Sequence, residues 1–135
     1  MNQTVSAHPG WARLAAAAAA VVIAAHGLVH LMGVALLWKL DEPGTLRYAD
    51  AVPAAGSTAA FVVGALWLVA AALFVAAAAL LATGRAWRLC ALAAVVVSAP
   101  VIGLAPGQAV AGLVVDGLVL VLVIVSWLRA RAVAS

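Results

Sequence analysis

Charge is what this chain has least of. Only 8% of its 135 residues are charged, and just four are acidic. A soluble domain of ordinary composition carries about 25% charged residues, so the polar shell of a water-facing fold is excluded. Cysteine is nearly absent as well. With Cys90 alone there is no intrachain disulfide, no C-x-x-C redox pair and no thiolate metal cluster. That removes thiol oxidoreductase chemistry and leaves Cys90 as a small apolar packing residue. A cleavable leader does not fit the N-terminal region either. Arg13 precedes an alanine-rich run, but the apolar stretch continues to Trp38, well past the 7–15 residues of a signal h-region. The segment is read as a retained span.

Apolar sequence dominates: 69% of residues are hydrophobic and the mean hydropathy is +1.26. An apolar helix needs about 20 residues to cross the hydrocarbon core. Four segments meet or approach this length: Leu14–Trp38, Ala59–Ala82, Leu89–Ala105 and Ala109–Leu128. The third is the shortest and holds Pro100, which predicts a kink near its end. Thr83-Gly84-Arg85 and Pro106-Gly107-Gln108 punctuate tight connections, and tight connections make antiparallel neighbours. The expected fold is an all-α, four-helix antiparallel membrane bundle, one domain over residues 1–135.

Arg13, Arg85, Arg88, Arg129 and Arg131 fall on one side of such an arrangement, against Lys39 and Arg47 on the other. The positive-inside rule then puts both termini in the cytoplasm of a cell membrane. The net charge of +3 flanks apolar spans, so it addresses lipid headgroups rather than nucleic acid. Trp11, Trp38, Trp87 and Trp127 lie near span ends, where amphipathic aromatics anchor. The one substantial loop, about Lys39–Thr58, is mildly acidic and falls outside. Tyr48 and Asp50 are candidates for a lid over the outer mouth, and a solvated connector is the plainer reading.

Against this background, His26 and His30 stand out, one helical turn apart within the first span. Ionisable residues inside a membrane are costly and mark candidate functional sites. Their spacing projects both from one side of the helix, with Ala15, Ala19, Val22 and Gly33 on the same side. A stripe of small residues permits close helix contact, which turns the histidines toward the interior. Asp116 in the fourth span, Ser98 in the third and Trp67 in the second complete the unusual set. Counting about 1.5 Å per residue from the outer span ends places His30, Ser98 and Asp116 at roughly 10–13 Å depth, with Trp67 near and His26 deeper. A shared outer-half pocket, opening outward and built from His30, Asp116, Ser98 and Trp67, is expected. His30 is the expected partner of Asp116, since an unpaired carboxylate at that depth costs several kcal/mol.

Several functions fit these residues. His26, His30 and Asp116 supply donors for a divalent metal or small ligand, although H-x-x-x-H alone is a weak motif and the zinc-protease glutamate is missing. A His–Asp pair that titrates near neutrality also suits proton-coupled solute transport, for which four spans require an oligomer. The same pair can instead fix helix register, as in an accessory subunit of a larger membrane complex. An enzyme acting on lipid or quinone needs a general base, which His30 offers, but no nucleophile constellation accompanies it.

The segment His26-Gly27-Leu28-Val29-His30-Leu31-Met32-Gly33 resembles one in the first span of small, uncharacterised four-span bacterial integral membrane proteins. The resemblance covers that span and the four-span layout. It implies a four-helix inner-membrane protein of similar length, and carries no activity with it.

Overall fold

The computed structural model describes residues 9–104 and 109–134. Among the described residues there are four α-helices: α1, Pro9–Leu37; α2, Thr58–Ala82; α3, Arg88–Gly103; and α4, Ala111–Ala134. A single 3-10 turn at Tyr48–Asp50 interrupts the loop between α1 and α2, and the described residues contain no strand. Ala105 and the Pro106-Gly107-Gln108 connection lie outside the described residues.

Among the described residues, three helices are long and apolar enough to cross a membrane: Gly10–Leu37, Thr58–Ala82 and Ala111–Ala134, with mean hydropathies of 2.1, 2.5 and 2.5 in their most apolar windows. The expectation of four full spans is met only in part. With 16 residues, α3 is about 24 Å long, short of the roughly 30 Å hydrocarbon core. Pro100 sits in its last turn, and the backbone N–H of Leu104 closes the helix on the Pro100 carbonyl at 3.2 Å.

Local chemistry explains where the helices stop. Ser57 caps α2, its hydroxyl accepting from the Ala60 N–H at 3.1 Å, as a good N-cap residue does. At the other end, Gly84 takes a left-handed φ of 68°. The Arg85 N–H reaches back to the Leu80 carbonyl and the Gly84 N–H to Leu81, the pattern of a glycine-terminated helix. The C-terminal end of α1 achieves a similar closure without glycine. Lys39 is left-handed at φ 56°, and the Leu40 N–H bonds the Ala35 carbonyl at 2.8 Å.

Close approach of α1 and α2 is built on glycine. A methyl group on Gly27 would come within 2.7 Å of Phe74 Cβ, and one on Gly33 within 2.5 Å of the Trp67 ring; one on Gly64 would meet the Trp38 indole. These three crossings run in opposite order along the two helices, so α1 and α2 are antiparallel. Likewise Arg88 of α3 donates to Ser126 of α4 at 2.9 Å while Ile102 meets Gly112, so α3 and α4 are antiparallel too. By contrast α1 and α4 barely touch. Of α4, only Asp116, Val119 and Val123 are fully buried; Leu113, Val115 and Leu122 pack partly against the core, and most of its other apolar side chains face outward.

The buried apolar residues form two clusters. Ile23, Phe74, Ala77, Ala91, Ala94 and Val123 belong to the first; Leu36, Leu37, Ala60, Trp67, Val101 and Ile102 belong to the second. His26 and His30 on α1, Ser98 on α3 and Asp116 on α4 each fall between the two sets along their own helix. The polar residues therefore occupy one layer sandwiched between apolar ones.

Candidate functional site

Two hydrogen-bonded pairs define the polar layer. His26 Nε2 lies 2.8 Å from Asp116 Oδ1, joining α1 to α4. His30 Nε2 lies 2.8 Å from Ser98 Oγ, joining α1 to α3. The second ring nitrogen of His30, Nδ1, donates to the His26 backbone carbonyl at 2.9 Å. A carbonyl only accepts, so Nδ1 carries a hydrogen and, in the neutral ring, Nε2 accepts from the Ser98 hydroxyl. All four side chains are buried.

This arrangement corrects the expected partnership. Asp116 pairs with His26, not with His30. His30 lies level with Ser98 as the spacing implied, but α4 is set about one turn deeper than α1, which moves Asp116 to the level of His26. The three-donor metal set of His26, His30 and Asp116 is not assembled either. Both nitrogens of His30 are taken by the His26 carbonyl and Ser98, and among the described residues no group of three His, Cys, Asp or Glu side chains is placed to hold a metal.

Aromatic rings complete the layer. The His26 and His30 rings stand edge to face, with centroids 4.8 Å apart. Phe74 packs on both, at 4.8 Å from His26 and 5.3 Å from His30. Trp67 contacts His30 at 5.1 Å, so the tryptophan expected at this level does join the site. Phe74 was not among the expected residues. Its signal was its position seven residues after Trp67, which places both on one face of α2.

A cavity of about 720 Å³ opens against this layer, its walls including His26, His30, Gly33, Trp67, Ile102 and Gly112. Such a volume lies within the range of roughly 300–1,000 Å³ typical of small-molecule sites. Gly112 keeps the α4 wall thin: a methyl group there would press on Ile102 at 2.9 Å and approach His26 Cε1 at 3.6 Å. Val22 lies on the histidine side of α1, as its spacing implied, but half exposed at the cavity margin rather than packed inside, and Ala15 is exposed. The reason is that α4 stands away from α1 at that level.

Over the other end of the cavity lies the loop between α1 and α2. Pro43, Gly44, Thr45, Leu46 and Val52 supply its roof. The loop is held down by its own bonds. The Glu42 carboxylate accepts from the Tyr48 N–H at 2.7 Å, Arg47 Nη1 donates to the Leu46 carbonyl at 2.8 Å, and the Gly56 N–H returns to the Leu37 carbonyl at 2.8 Å. Neither Tyr48 nor Asp50 lines the cavity. Tyr48 packs instead against the second apolar cluster, so the covering segment is Pro43–Leu46.

One polar atom stays unsatisfied. Asp116 Oδ2 is buried with no hydrogen-bond partner among the described residues. Burying such an atom is costly, and nothing in the packing of α4 alone requires a carboxylate there. No protein-family model, curated protein or solved structure matches the chain.

Proposed function

We propose that this chain is a four-span membrane protein of the cell membrane, with both termini cytoplasmic, that binds a small ligand in the cavity beside His26 and His30. The cavity carries this reading. A buried polar layer alone can be explained as a lock between helices, but a lock needs no adjoining void. Membrane helices pack closely when small residues allow it, and Gly27, Gly33 and Gly64 already draw α1 onto α2. Yet a cavity remains beside His26, with Gly112 in its wall. Apolar walls with a few convergent polar groups are the usual composition of a ligand site.

A second reading has its own observation. His26–Asp116 is the principal polar link between α1 and α4, which otherwise barely touch, so the pair also serves to hold α4 in place. The two roles are compatible, and they separate experimentally. In protein labelled with 5-fluorotryptophan, the Trp67 resonance, assigned by Trp67→Phe, reports on the cavity wall. Titration with phenol, a small apolar ring bearing one hydroxyl, is expected to shift that resonance saturably in the wild type. His26→Leu is expected to abolish the shift. A resonance that never responds, or that responds equally in both proteins, overturns the binding reading and leaves the pair as a lock.

A further inference from the structure

The cavity has a side door. Val22, Ala25 and Val29 follow one another along a single stripe of α1; all three line the cavity and all three are exposed. Opposite them, Ala111 and Val115 of α4 line it too, and Ala111 is exposed. The gap between these two helices is therefore the mouth, and it faces the apolar surroundings of the spans. The loop roof covers the end of the cavity nearest the polar loop. A ligand reaches such a site from within the bilayer more directly than from water.

The lining also restricts the head group. No Lys, Arg, Asp or Glu lines the cavity. A charged head would leave water for an apolar chamber without a counter-ion, which is strongly unfavourable. Asp116 offers no remedy for a cation, because the residue is not part of the lining. An uncharged head is left.

Two side-chain nitrogens of the lining residues have no hydrogen-bond partner among the described residues: His26 Nδ1 and the Trp67 indole Nε1. With His26 Nε2–H donating to the Asp116 carboxylate, Nδ1 of the neutral ring is an acceptor, while the indole N–H is a donor only. A hydroxyl is the small uncharged group that donates to one and accepts from the other.

We infer that the cavity takes an uncharged, hydroxyl-headed amphiphile dissolved in the bilayer, which passes laterally between α1 and α4. Its hydroxyl meets His26 and Trp67, and its apolar body lies against Val22, Val29 and Val115. This rests on the binding reading above and deepens it by naming the ligand class and its route.

The test uses three ten-carbon photoprobes that carry the same chain diazirine and differ only in the head: alcohol, carboxylate and trimethylammonium. Each is photolysed with the full-length protein in nanodiscs. Labelled residues are read by mass spectrometry, with the outward-facing Leu118, Val121 and Ile124 of α4 as the background for simple lipid exposure. The alcohol is expected to label Val22–Met32 and Ala111–Val115 at least fivefold above that background, and the two charged probes are expected to stay at background. Ala25→Trp, an exposed position at the mouth, is expected to remove the alcohol's excess while leaving melting temperature unchanged. Equal excess from the charged probes, or full labelling in Ala25→Trp, overturns the ligand class or the lateral route while leaving a binding cavity intact. No excess from any probe in protein that also fails to respond to phenol overturns the binding reading itself.

Discussion

Replacing both members of the His26–Asp116 pair by leucine should harm the fold less than replacing His26 alone. His26 Nε2–H donates to the Asp116 carboxylate at 2.8 Å. Burying the carboxylate costs several kcal/mol, so most of the gross strength of that bond is cancelled. Polar pairs measured inside membrane proteins couple by about 0.6 kcal/mol on average and about 1.7 at most. Both partners here are buried, with side-chain exposures of 7% and 3%, which points to the upper end, about 1.5 kcal/mol. His26→Leu strands the carboxylate, whose Oδ2 is already unpartnered, and should cost about 2 kcal/mol. That is less than the roughly 3–5 kcal/mol for breaking a buried pair in a soluble core, because the unfolded chain in a membrane-like medium also finds polar partners. Asp116→Leu should cost about 1 kcal/mol and the double variant about 1.5, since a pair replaced by apolar groups is often nearly neutral. Reversible unfolding in mixed micelles, followed by circular dichroism against the mole fraction of denaturing detergent, gives the four free energies of the cycle. A coupling below about 0.5 kcal/mol, the level of ordinary additivity, would refute the claim that this pair ties α4 to α1.

Packing, orientation and titration supply further checks. Gly33→Ala forces a methyl group against the Trp67 ring and should lower stability by about 1–3 kcal/mol. Gly117→Ala, where the new methyl meets nothing within 4 Å, should be neutral or stabilise by up to about 1 kcal/mol; thermal melts of the two variants should therefore diverge. In a Cys90→Ser background, Asp50→Cys should react with an impermeant maleimide added to intact cells and Val133→Cys should not; the opposite pattern would invert the proposed topology. Tyr48 is the only tyrosine in the chain, and partial burial, with Glu42 and Asp41 nearby, raises its phenol above the usual value of 10.0. Its absorbance change near 295 nm should therefore appear at higher pH in the folded protein than in unfolded chain, and Glu42→Gln should shift it back downward.

Hydropathy made the helices legible in the sequence, and rarity made the polar layer legible. In a chain this apolar, His26, His30, Ser98 and Asp116 could hardly be missed, and all four meet in one layer with Trp67. Their pairing was not legible. Spacing fixes which residues share a face of one helix, but not how far one helix slides along its neighbour. Counting depth from span ends treated those ends as level, whereas α4 begins at Ala111 and lies about a turn deeper against α1. One turn was enough to exchange the partners of the two histidines. Phe74 escaped notice because a phenylalanine in an apolar span carries no signal of rarity. The cavity was illegible for a related reason: it arises from the separation of α1 and α4, a relation between helices that neither sequence segment encodes alone.

The His26 layer is proposed to serve a ligand as well as the fold. The measurement that bears on it most directly is phenol binding by the His26→Leu/Asp116→Leu double variant, read at the fluorinated Trp67 resonance in protein shown by circular dichroism to be folded. A binding site predicts a folded, helical protein, about 1.5 kcal/mol less stable than the wild type, whose saturable shift is gone. A double variant that binds phenol as the wild type does would contradict the claim.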